Sequence, residues 1–479
     1  MKRITLLIIG LLLALPLYPH PWKPSHYVIV DTDGGVDDMK TLCMLLASHD
    51  VRVLAVTVSP GVLSSDQAYI KTRSMLNSFY HEGLPVGINR SARHKAAEYP
   101  CALKTVWGNE SNIDPDEAPD CYDVINEMLR AEKTKISFIS LGSLSTAYDA
   151  YTRLTVFREQ VREIIWSTEG NDNPAGFNYA ADRSSAEKML KQTDIPVNIV
   201  TGSGGAGSEF YDSGFIASIG TINTPYAQKV HLFFDSEASG ENSFSRQATD
   251  EMIAVYLHYP ELFNKKSNGT VSTFIPSDAA LIKQSILIIL KGETVARHQV
   301  IKEVPEDPQF YTEDIQPYVK SIIEKHGHDE WTSCIITNEL HRHLGVFATI
   351  GVKMGIRARE YFNTGVDEFH VLSFAGSVPP LSCMNDGLQV STGATPGHGL
   401  FGVSDNPVRK AAAEFTYLNR KIKVSLRPEI EEKISSELKE INFIYGLDSN
   451  IYWELVRQNS IKYWLDMDRH EIFLIEVLQ

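Results

Sequence analysis

The chain is poor in cysteine and in basic charge. Its 479 residues include only five cysteines, too few for a disulfide framework and odd in number, so at least one is unpaired within the chain. Cys101 and Cys121 flank a polar loop, where a disulfide and two free thiols both fit the sequence. A formal net charge of -15 does not favour the basic surface that a phosphate backbone needs, so nucleic acid is not an expected partner.

Long apolar runs are also scarce. The first, ITLLIIGLLLALPL, follows Met1-Lys2-Arg3 and is broken by Pro16. It falls short of the roughly 18 to 20 apolar residues that a membrane span requires. A basic start followed by a short apolar stretch is typical of a secretory signal peptide. We therefore expect residues 1–22 to be removed, the mature protein to be periplasmic or secreted, and no stable membrane span to remain.

Composition and patterning predict two α/β domains. Hydrophobic residues at 43% and charged residues at 22% are typical of a globular protein, and the length exceeds that of one ordinary core. From residue 26, short β-branched runs such as YVIVDTD and VRVLAVTVS alternate with helical patterns. This alternation predicts a mostly parallel open sheet with helices on both faces over residues 24–300. The acidic, proline-containing EVPEDPQFYTED then indicates a connection to a smaller α+β domain over 301–479.

Four aspartates are crowded into VIVDTDGGVDD, directly after the first predicted strand: Asp31, Asp33, Asp37 and Asp38. Their repulsion is costly unless a cation or donors compensate it, and oxygen ligands without nearby His or Cys favour Ca²⁺ or Mg²⁺. An EF-hand is excluded, because the positions that require Gly and Glu hold Val36 and Leu42. A helix N-cap explains one or two of the aspartates but not all four.

DTDGGVDD resembles the DTDPGxDD signature of calcium-dependent nucleoside hydrolases, with Gly34 at the usual proline. Three later segments resemble further family motifs in the same order: LGSLSTAYDAY at 141–151, GNDNPAGFNYAADRSSAEKML at 170–190 and TDEMIAVYLHYPELF at 249–263. The resemblance covers residues 26 to about 300. It implies hydrolysis of N-glycosidic bonds in nucleosides or related ribosides, with a small molecule as substrate, and it is compatible with a homo-oligomer.

The resemblance also implies individual roles. Asp33 corresponds to the general base that activates a water held by Ca²⁺. The implied Ca²⁺ ligands are Asp33, Asp38, Asp250 and the main-chain carbonyl of Leu141. The implied substrate contacts are Asp37, at a ribose hydroxyl, and Asn171 and Asn178, at the sugar.

Three positions depart from the family pattern. Val62 stands where an Asn is usual, Gly176 where a Glu is usual, and Thr249 where a His is usual. These changes remove sugar contacts and one route for protonating the leaving base, which keeps a non-catalytic sugar- or nucleoside-binding protein open as an alternative. A second alternative is a phosphatase of the haloacid dehalogenase type, in which Asp31 would be the nucleophile.

The C-terminal region carries a different set of motifs. NELHRHLGVF at 338–347 and SCMNDGLQVSTGATPGHGLF at 382–401 resemble the E-type subunit family of formylmethanofuran dehydrogenase, with Gly345 at the position of that family's first cysteine. His341, His343 and Cys383 are soft or borderline ligands, so the sequence predicts a second metal site there for Zn²⁺ or another transition metal. The glycine-rich turn around His398 provides backbone amides for a ligand.

Overall fold

The computed structural model describes residues 24–170, 174–202, 210–235, 247–294 and 303–478. These residues form two compact units. The N-terminal unit comprises Pro24–Lys302 together with Ala358–Gly365, and the C-terminal unit comprises Glu303–Arg357 and Val366–Gln479. The predicted division at 300/301 did not include the short segment 358–365 in the N-terminal unit. The predicted signal peptide lies outside the described residues.

An eight-stranded, mostly parallel sheet forms the centre of the N-terminal unit. Its strands are β1 (His26–Thr32), β2 (Val51–Val58), β3 (Val86–Ile88), β4 (Ile136–Ser140), β5 (Val161–Ser167), β6 (Val197–Val200), β7 (Phe263–Asn268) and β8 (Val271–Pro276). The order is β3-β2-β1-β4-β5-β6-β8-β7. Each pair is parallel except β7 with β8, which are antiparallel at one edge. The predicted fold class is therefore confirmed.

Helices connect these strands. They are α1 (Val36–Ala47), α2 (Ser65–Ser78), α3 (Pro100–Lys104), α4 (Cys121–Ala131), α5 (Ser145–Arg153), α6 (Thr155–Gln160), α7 (Gly176–Ala181), α8 (Arg183–Gln192), α9 (Ser213–Gly220), α10 (Pro225–Asp235), α11 (Glu251–His258) and α12 (Ala279–Leu290). The central strands β2 and β4 are buried along their whole length, as expected for parallel strands covered on both faces.

The strand order of this sheet changes direction at β1. Strands β2 and β3 extend the sheet on one side of β1, whereas β4 pairs with β1 on the other side. Ligands of open α/β sheets bind beyond the carboxyl ends of the strands at such a switch point. The aspartate turn follows β1 directly, so the topology places it where a ligand is expected.

The C-terminal unit has a smaller, mixed sheet. Its strands are β9 (His370–Ser373), β10 (Phe401–Val403), β11 (Ala412–Tyr417), β12 (Arg420–Leu426) and β13 (Phe473–Val477). Within this sheet, β9 and β10 are parallel and the other pairs are antiparallel, in the order β10-β9-β11-β12-β13. The helices are α13 (Val319–His326), α14 (His328–His341), α15 (Val346–Phe362, of which residues 358–362 belong to the N-terminal unit), α16 (Met384–Thr392), α17 (Pro428–Tyr445) and α18 (Asn450–Asp466).

All five cysteines are free thiols, and only Cys383 is not fully buried. The disulfide alternative for Cys101 and Cys121 is therefore not realised. Across the described ranges, every helix is too short or too polar to traverse a lipid bilayer.

Candidate functional site

Asp31, the first aspartate of the turn, is a buried structural group. Thr57 Oγ1 donates to one of its oxygens at 2.6 Å, and Ser59 Oγ donates to the other at 2.9 Å. Burial raises the pKa of this carboxyl to about 7 in spite of these donors. Because both oxygens are engaged and the side chain is inaccessible, Asp31 is poorly placed to attack phosphorus. The structure thus argues against the phosphatase alternative.

Asp38 closes the turn back onto the end of β1. Its Oδ2 accepts a hydrogen bond from Thr32 Oγ1 at 2.6 Å and another from the Asp33 amide at 2.9 Å. Gly34 lies between these residues with φ of +81°, a conformation that proline cannot adopt. The glycine at the family's usual proline position is therefore required by this turn.

Three carboxylates converge beside the turn. One oxygen each from Asp37, Asp38 and Asp250 lies within 4.8 Å of the others, and we call this set the carboxylate cluster. Asp250 immediately precedes α11 and is fully buried, as is Asp38. Burial, followed by the charge of Asp37, raises the pKa of Asp38 to about 6 and that of Asp250 well above its ordinary value. Such a set is stable in its ionised form only with a cation.

Asp33 lies next to this cluster with its oxygens uncommitted. Neither oxygen accepts a hydrogen bond of ordinary geometry from the described part of the chain, although both are buried. Burial, then the charges of Asp38 and Asp37, raise the pKa of Asp33 well above its usual value. The carboxylate fits between Gly61 and Gly142, and a Cβ at Gly142 would lie 3.1 Å from Asp33 Oδ2. A buried, unpartnered carboxylate in a cleft is a candidate ligand or base.

Leu141 and Asn178, two further predicted site residues, are in direct contact. The Asn178 amide donates to the Leu141 carbonyl and, at 3.0 Å, to the Ser167 carbonyl. The Ser167 side chain in turn forms a hydrogen bond with Asp250. Asn178 is thus tied to the loops that carry the predicted ligands, while its predicted sugar contact stays a prediction. Asn171 lies outside the described residues.

A buried ion pair links helix α1, which carries Asp37 and Asp38, to helix α11, which follows Asp250. Lys40 of α1 lies 2.5 Å from Glu251 of α11, and both side chains are inaccessible to solvent. Glu251 also accepts hydrogen bonds from the Tyr211 hydroxyl at 2.9 Å and the Thr249 amide at 3.0 Å. The pair therefore fixes the turn that presents Asp250. The sequence contains one signal for it, a lysine inside the apolar MKTLCMLLA helix.

The three residues that depart from the family pattern have different surroundings in the structure. Val62 packs against the hydrophobic core. Gly176 has φ of +80°, and a Cβ there would lie 2.8 Å from Cδ of Glu169, so the Glu169 side chain occupies the space beside it. The Thr249 hydroxyl donates to the Asp37 carboxylate. Thr249 therefore engages one oxygen of Asp37, the carboxylate that is predicted to bind a ribose hydroxyl.

His94 is a residue near the site that the motifs did not indicate. Its Nε2 contacts the Pro60 carbonyl and lies 3.4 Å from Ser143 Oγ. Pro60 and Ser143 adjoin the two glycines that flank Asp33. The other ring nitrogen is buried without a hydrogen-bond partner among the described residues, and the nearest acidic oxygen, on Asp182, is 4.0 Å away.

A family model identifies the N-terminal region of the chain. The family model described as "Inosine-uridine preferring nucleoside hydrolase" matches residues 28–311, more than half of the chain. The chain belongs to this nucleoside hydrolase family. Its N-terminal unit is therefore that of an enzyme family acting on the N-glycosidic bond of nucleosides.

Individual relatives of this nucleoside hydrolase are distant. The Non-specific ribonucleoside hydrolase RihC of Klebsiella pneumoniae is 20% identical over 247 residues, covering 49% of this chain and 80% of the relative. A plant nucleoside hydrolase structure has a TM-score of 0.47 at 16% identity, covering 56% of this chain and 99% of its own. The inosine-uridine preferring enzyme from Bacillus anthracis has a TM-score of 0.45 at 14% identity, with the same two coverages.

The C-terminal unit of this nucleoside hydrolase matches the family model "FmdE, Molybdenum formylmethanofuran dehydrogenase operon" over residues 340–472. It has a cavity of about 400 Å³ lined in part by His341, Cys383 and Asp386. The Asp386 carboxylate lies 2.7 Å from Nδ1 of His341, whose Nε2 is buried without a hydrogen-bond partner in the described ranges.

His343 does not join the other two predicted ligands. Among the described residues, His341, His343 and Cys383 do not form a group with three ligand atoms within 4.8 Å of one another. The reason is local. Arg342 has φ of +67° and ends α14 between the two histidines, so they do not follow one helical face. The His343 ring packs against the His341 ring, with centroids 4.3 Å apart, and against Trp453, with centroids 5.3 Å apart. The predicted metal site of His341, His343 and Cys383 stays a prediction, of which the cavity brings together His341 and Cys383.

Proposed function

We propose that the N-terminal unit hydrolyses the N-glycosidic bond of ribonucleosides with Asp33 as general base and Ca²⁺ as cofactor. The observation that carries this proposal is the pairing of an unpartnered, buried Asp33 with the carboxylate cluster in the described part of the chain. The relatives' names support ribonucleosides as the substrate class.

The residues fit a hard dication. Asp37, Asp38 and Asp250 supply converging carboxylate oxygens, and Asp33 supplies buried oxygens whose nearest donors in the described ranges, the Val62 and Gly35 amides, do not form hydrogen bonds of ordinary geometry with it. Ca²⁺ prefers such oxygen sets. The residues that would hold it are Asp33, Asp38, Asp250 and the Leu141 carbonyl, and its chemistry there is to neutralise the carboxylates and acidify a water.

The chain's own groups then account for the reaction. Asp33 takes a proton from the attacking water, whose oxygen bonds to C1′ of the ribose. The C1′–N bond breaks, and its electron pair leaves with the nucleobase. Positive charge develops on the ribose in this step, and the surrounding carboxylates stabilise it.

In this proposal, Asp37 forms the hydrogen bond with a ribose hydroxyl. Thr249 already donates a hydrogen bond to that carboxylate, so the sugar hydroxyl shares Asp37 with a protein group. Thr249 also lacks an ionisable proton for the leaving base. We therefore expect a preference for nucleobases that leave without protonation by this residue.

The test is release of free ribose from a panel of purine and pyrimidine ribonucleosides. Asp33→Asn should lower kcat by at least about 100-fold, which is the lower end of the usual contribution of a general base. Excess EGTA should lower the kcat of the unchanged chain by a similar factor. Asp116→Asn is the matched control, because Asp116 is exposed and distant in sequence from the site motifs.

Two outcomes would contradict the proposal. Calorimetric binding of nucleosides without ribose release at high enzyme concentration would favour the binding-protein alternative. Turnover that persists in EGTA and in Asp33→Asn would show that other groups perform the chemistry.

We further propose that this enzyme is exported to the periplasm or secreted, on the basis of the basic and apolar N-terminal sequence. Expression in a bacterial host followed by N-terminal sequencing of the extracytoplasmic fraction tests it. An intact Met1 in the cytoplasmic fraction alone would contradict it.

A further inference from the structure

A second group of ligand side chains lies in the N-terminal unit, at the opposite ends of the strands from the carboxylate cluster. His26 is the first residue of β1, Asp50 directly precedes β2, and His258 is the last residue of α11. Because β1 has seven residues, His26 is expected to lie roughly 20 Å from the aspartate turn at about 3.3 Å per residue, and His258 about 12 Å from Asp250 at about 1.5 Å per helical residue. The two groups are therefore separate.

The three side chains converge. One ligand atom each from His26, Asp50 and His258 lies within 4.8 Å of the others. The two imidazole rings meet edge to face, with centroids 5.7 Å apart. Asp50 is fixed against β1, because its carbonyl accepts from the His26 amide at 3.1 Å and its Oδ1 accepts from the Ser25 amide at 2.8 Å.

A hydroxyl network orients His258. Ser48 Oγ lies 3.0 Å from Nε2 of His258 and 3.1 Å from Thr294 Oγ1, and it also accepts from the Asp50 amide. When Ser48 accepts the Nε2 proton and donates to Thr294, the lone pair of His258 lies on Nδ1. Metal-bound histidines are commonly oriented by such a partner on the second ring nitrogen.

The charges favour a borderline dication. Burial lowers the pKa of His26 and, more strongly, that of His258 to about 4, so both imidazoles are neutral at pH 7. Arg162 is a cation beside the group, 3.4 Å from Nδ1 of His26, and it is paired with Glu163 at 3.0 Å. Imidazole nitrogens with a single carboxylate suit Zn²⁺ rather than Ca²⁺.

We propose that His26, Asp50 and His258 form a transition-metal site that binds Zn²⁺ and joins the start of β1 to the end of α11. Three protein ligands leave a fourth tetrahedral position for water or another small ligand. The site sits on the helix whose first turn follows Asp250, so it stabilises the element that presents part of the carboxylate cluster.

The test measures Zn²⁺ binding to the chelator-treated full-length chain by competition with a chromogenic chelator. Cys383→Ser serves as the background, so that the C-terminal cavity does not contribute. Within it, Asp50→Asn and His258→Gln should each remove one Zn²⁺ equivalent per chain, or weaken its binding by at least about 100-fold, the upper figure for loss of an outer-shell partner. Both variants keep a hydrogen-bonding atom for Ser25 or Ser48, so the fold should be retained.

A second readout is the visible spectrum of the Co²⁺-loaded chain, which reports nitrogen and oxygen ligands directly. His231→Gln is the matched control, because His231 is a surface histidine that pairs with Asp235 at 3.3 Å. Its Zn²⁺ stoichiometry should be unchanged. Equal Zn²⁺ stoichiometry and affinity in the background, Asp50→Asn and His258→Gln chains would overturn the proposal, as would a Co²⁺ spectrum unaffected by either change.

Discussion

The carboxylate cluster makes the stability of the metal-free protein depend on pH. Asp38 is buried, and burial together with the neighbouring Asp37 raises its pKa from 3.8 to about 6. At about 1.36 kcal/mol per pH unit, this rise corresponds to about 3 kcal/mol of unfolding free energy. The folded chain holds the Asp38 proton more tightly than the unfolded chain, so ionisation destabilises the fold.

The sign follows from the two pKa values. Below about pH 3.8 the carboxyl is protonated in both states, and the penalty is absent. Between pH 3.8 and about 6 only the unfolded chain releases the proton, so stability falls as pH rises. Above about pH 6 the full penalty applies. Asn cannot ionise, and its carbonyl oxygen can still accept from the Thr32 hydroxyl and the Asp33 amide.

We therefore expect Asp38→Asn to stabilise the metal-free N-terminal unit by up to about 3 kcal/mol at pH 7.5, and by about 1 kcal/mol at pH 4.5. Ca²⁺ should remove most of this difference in stability. At 100 times its dissociation constant, Ca²⁺ should add about 2.7 kcal/mol to the unchanged chain, and much less to the variant, which lacks one ligand.

Urea unfolding of the N-terminal unit at both pH values, in EGTA and in Ca²⁺, measures these differences. Comparing each variant with the unchanged chain at the same pH cancels the titration of all other groups. Asp116→Asn is again the control and should show no pH-dependent difference. Equal Ca²⁺ stabilisation of the unchanged and Asp38→Asn chains, or a variant that is less stable than the unchanged chain at pH 7.5 without metal, would refute the reasoning.

Three further changes probe other parts of the molecule. Lys40→Met leaves Glu251 as an unpaired buried charge and should cost about 3 to 5 kcal/mol in urea unfolding. Gly61→Ala places a methyl group inside contact distance of the Asp33 carboxylate, so kcat/KM for ribose release should fall about 100-fold while the circular dichroism spectrum is retained. Burial, then Asp386, raises the pKa of the Cys383 thiol from 9.0 to about 11, so iodoacetamide should label the native, metal-free chain about 100-fold more slowly at pH 8 than an ordinary thiol.

Controls for these changes are available in the chain. Lys133→Met removes an exposed lysine and should leave stability unchanged. Gly397→Ala meets its nearest atom at 3.7 Å and should leave ribose release unchanged. For Cys383, the labelling rate should rise about tenfold per pH unit toward pH 11. A rate that is already independent of pH at pH 8 would contradict the raised pKa.

Much of the N-terminal sheet could be predicted because its strands are apolar on both faces. β2 is VRVLAVTV and is buried throughout. A nearly continuous apolar run of this kind is typical of a parallel strand that is covered on both faces. The edge strand β7 was not predictable in this way. Its sequence, FNKKSN, has one buried residue, and its strand conformation depends on pairing with β8. Tertiary context overrides local propensity at such an edge.

The side-chain contacts of the site also depend on tertiary structure, which limits their prediction from local sequence. Asp38 and Asp250 were paired by the family resemblance rather than by any local pattern, because they are far apart in the chain. The Lys40–Glu251 ion pair was not predicted, since a charge inside an apolar helix shows that a partner is needed without showing which one. In the C-terminal unit, the left-handed conformation of Arg342 ends α14 between His341 and His343, and the two histidine rings still lie in contact, with centroids 4.3 Å apart.

In the proposed mechanism, Asp37 connects the metal site to the substrate site. It belongs to the carboxylate cluster and also accepts a hydrogen bond from Thr249, the residue that replaces the family's usual histidine. A cation in the cluster would draw electron density from Asp37 and weaken it as an acceptor for both Thr249 and a ribose hydroxyl. Because Thr249 donates without carrying charge, it stabilises Asp37 in the metal-free chain, where a protonated histidine would do so more strongly. In the proposed mechanism, a Thr at position 249 therefore affects both the protonation of the leaving base and the charge balance of the proposed metal site.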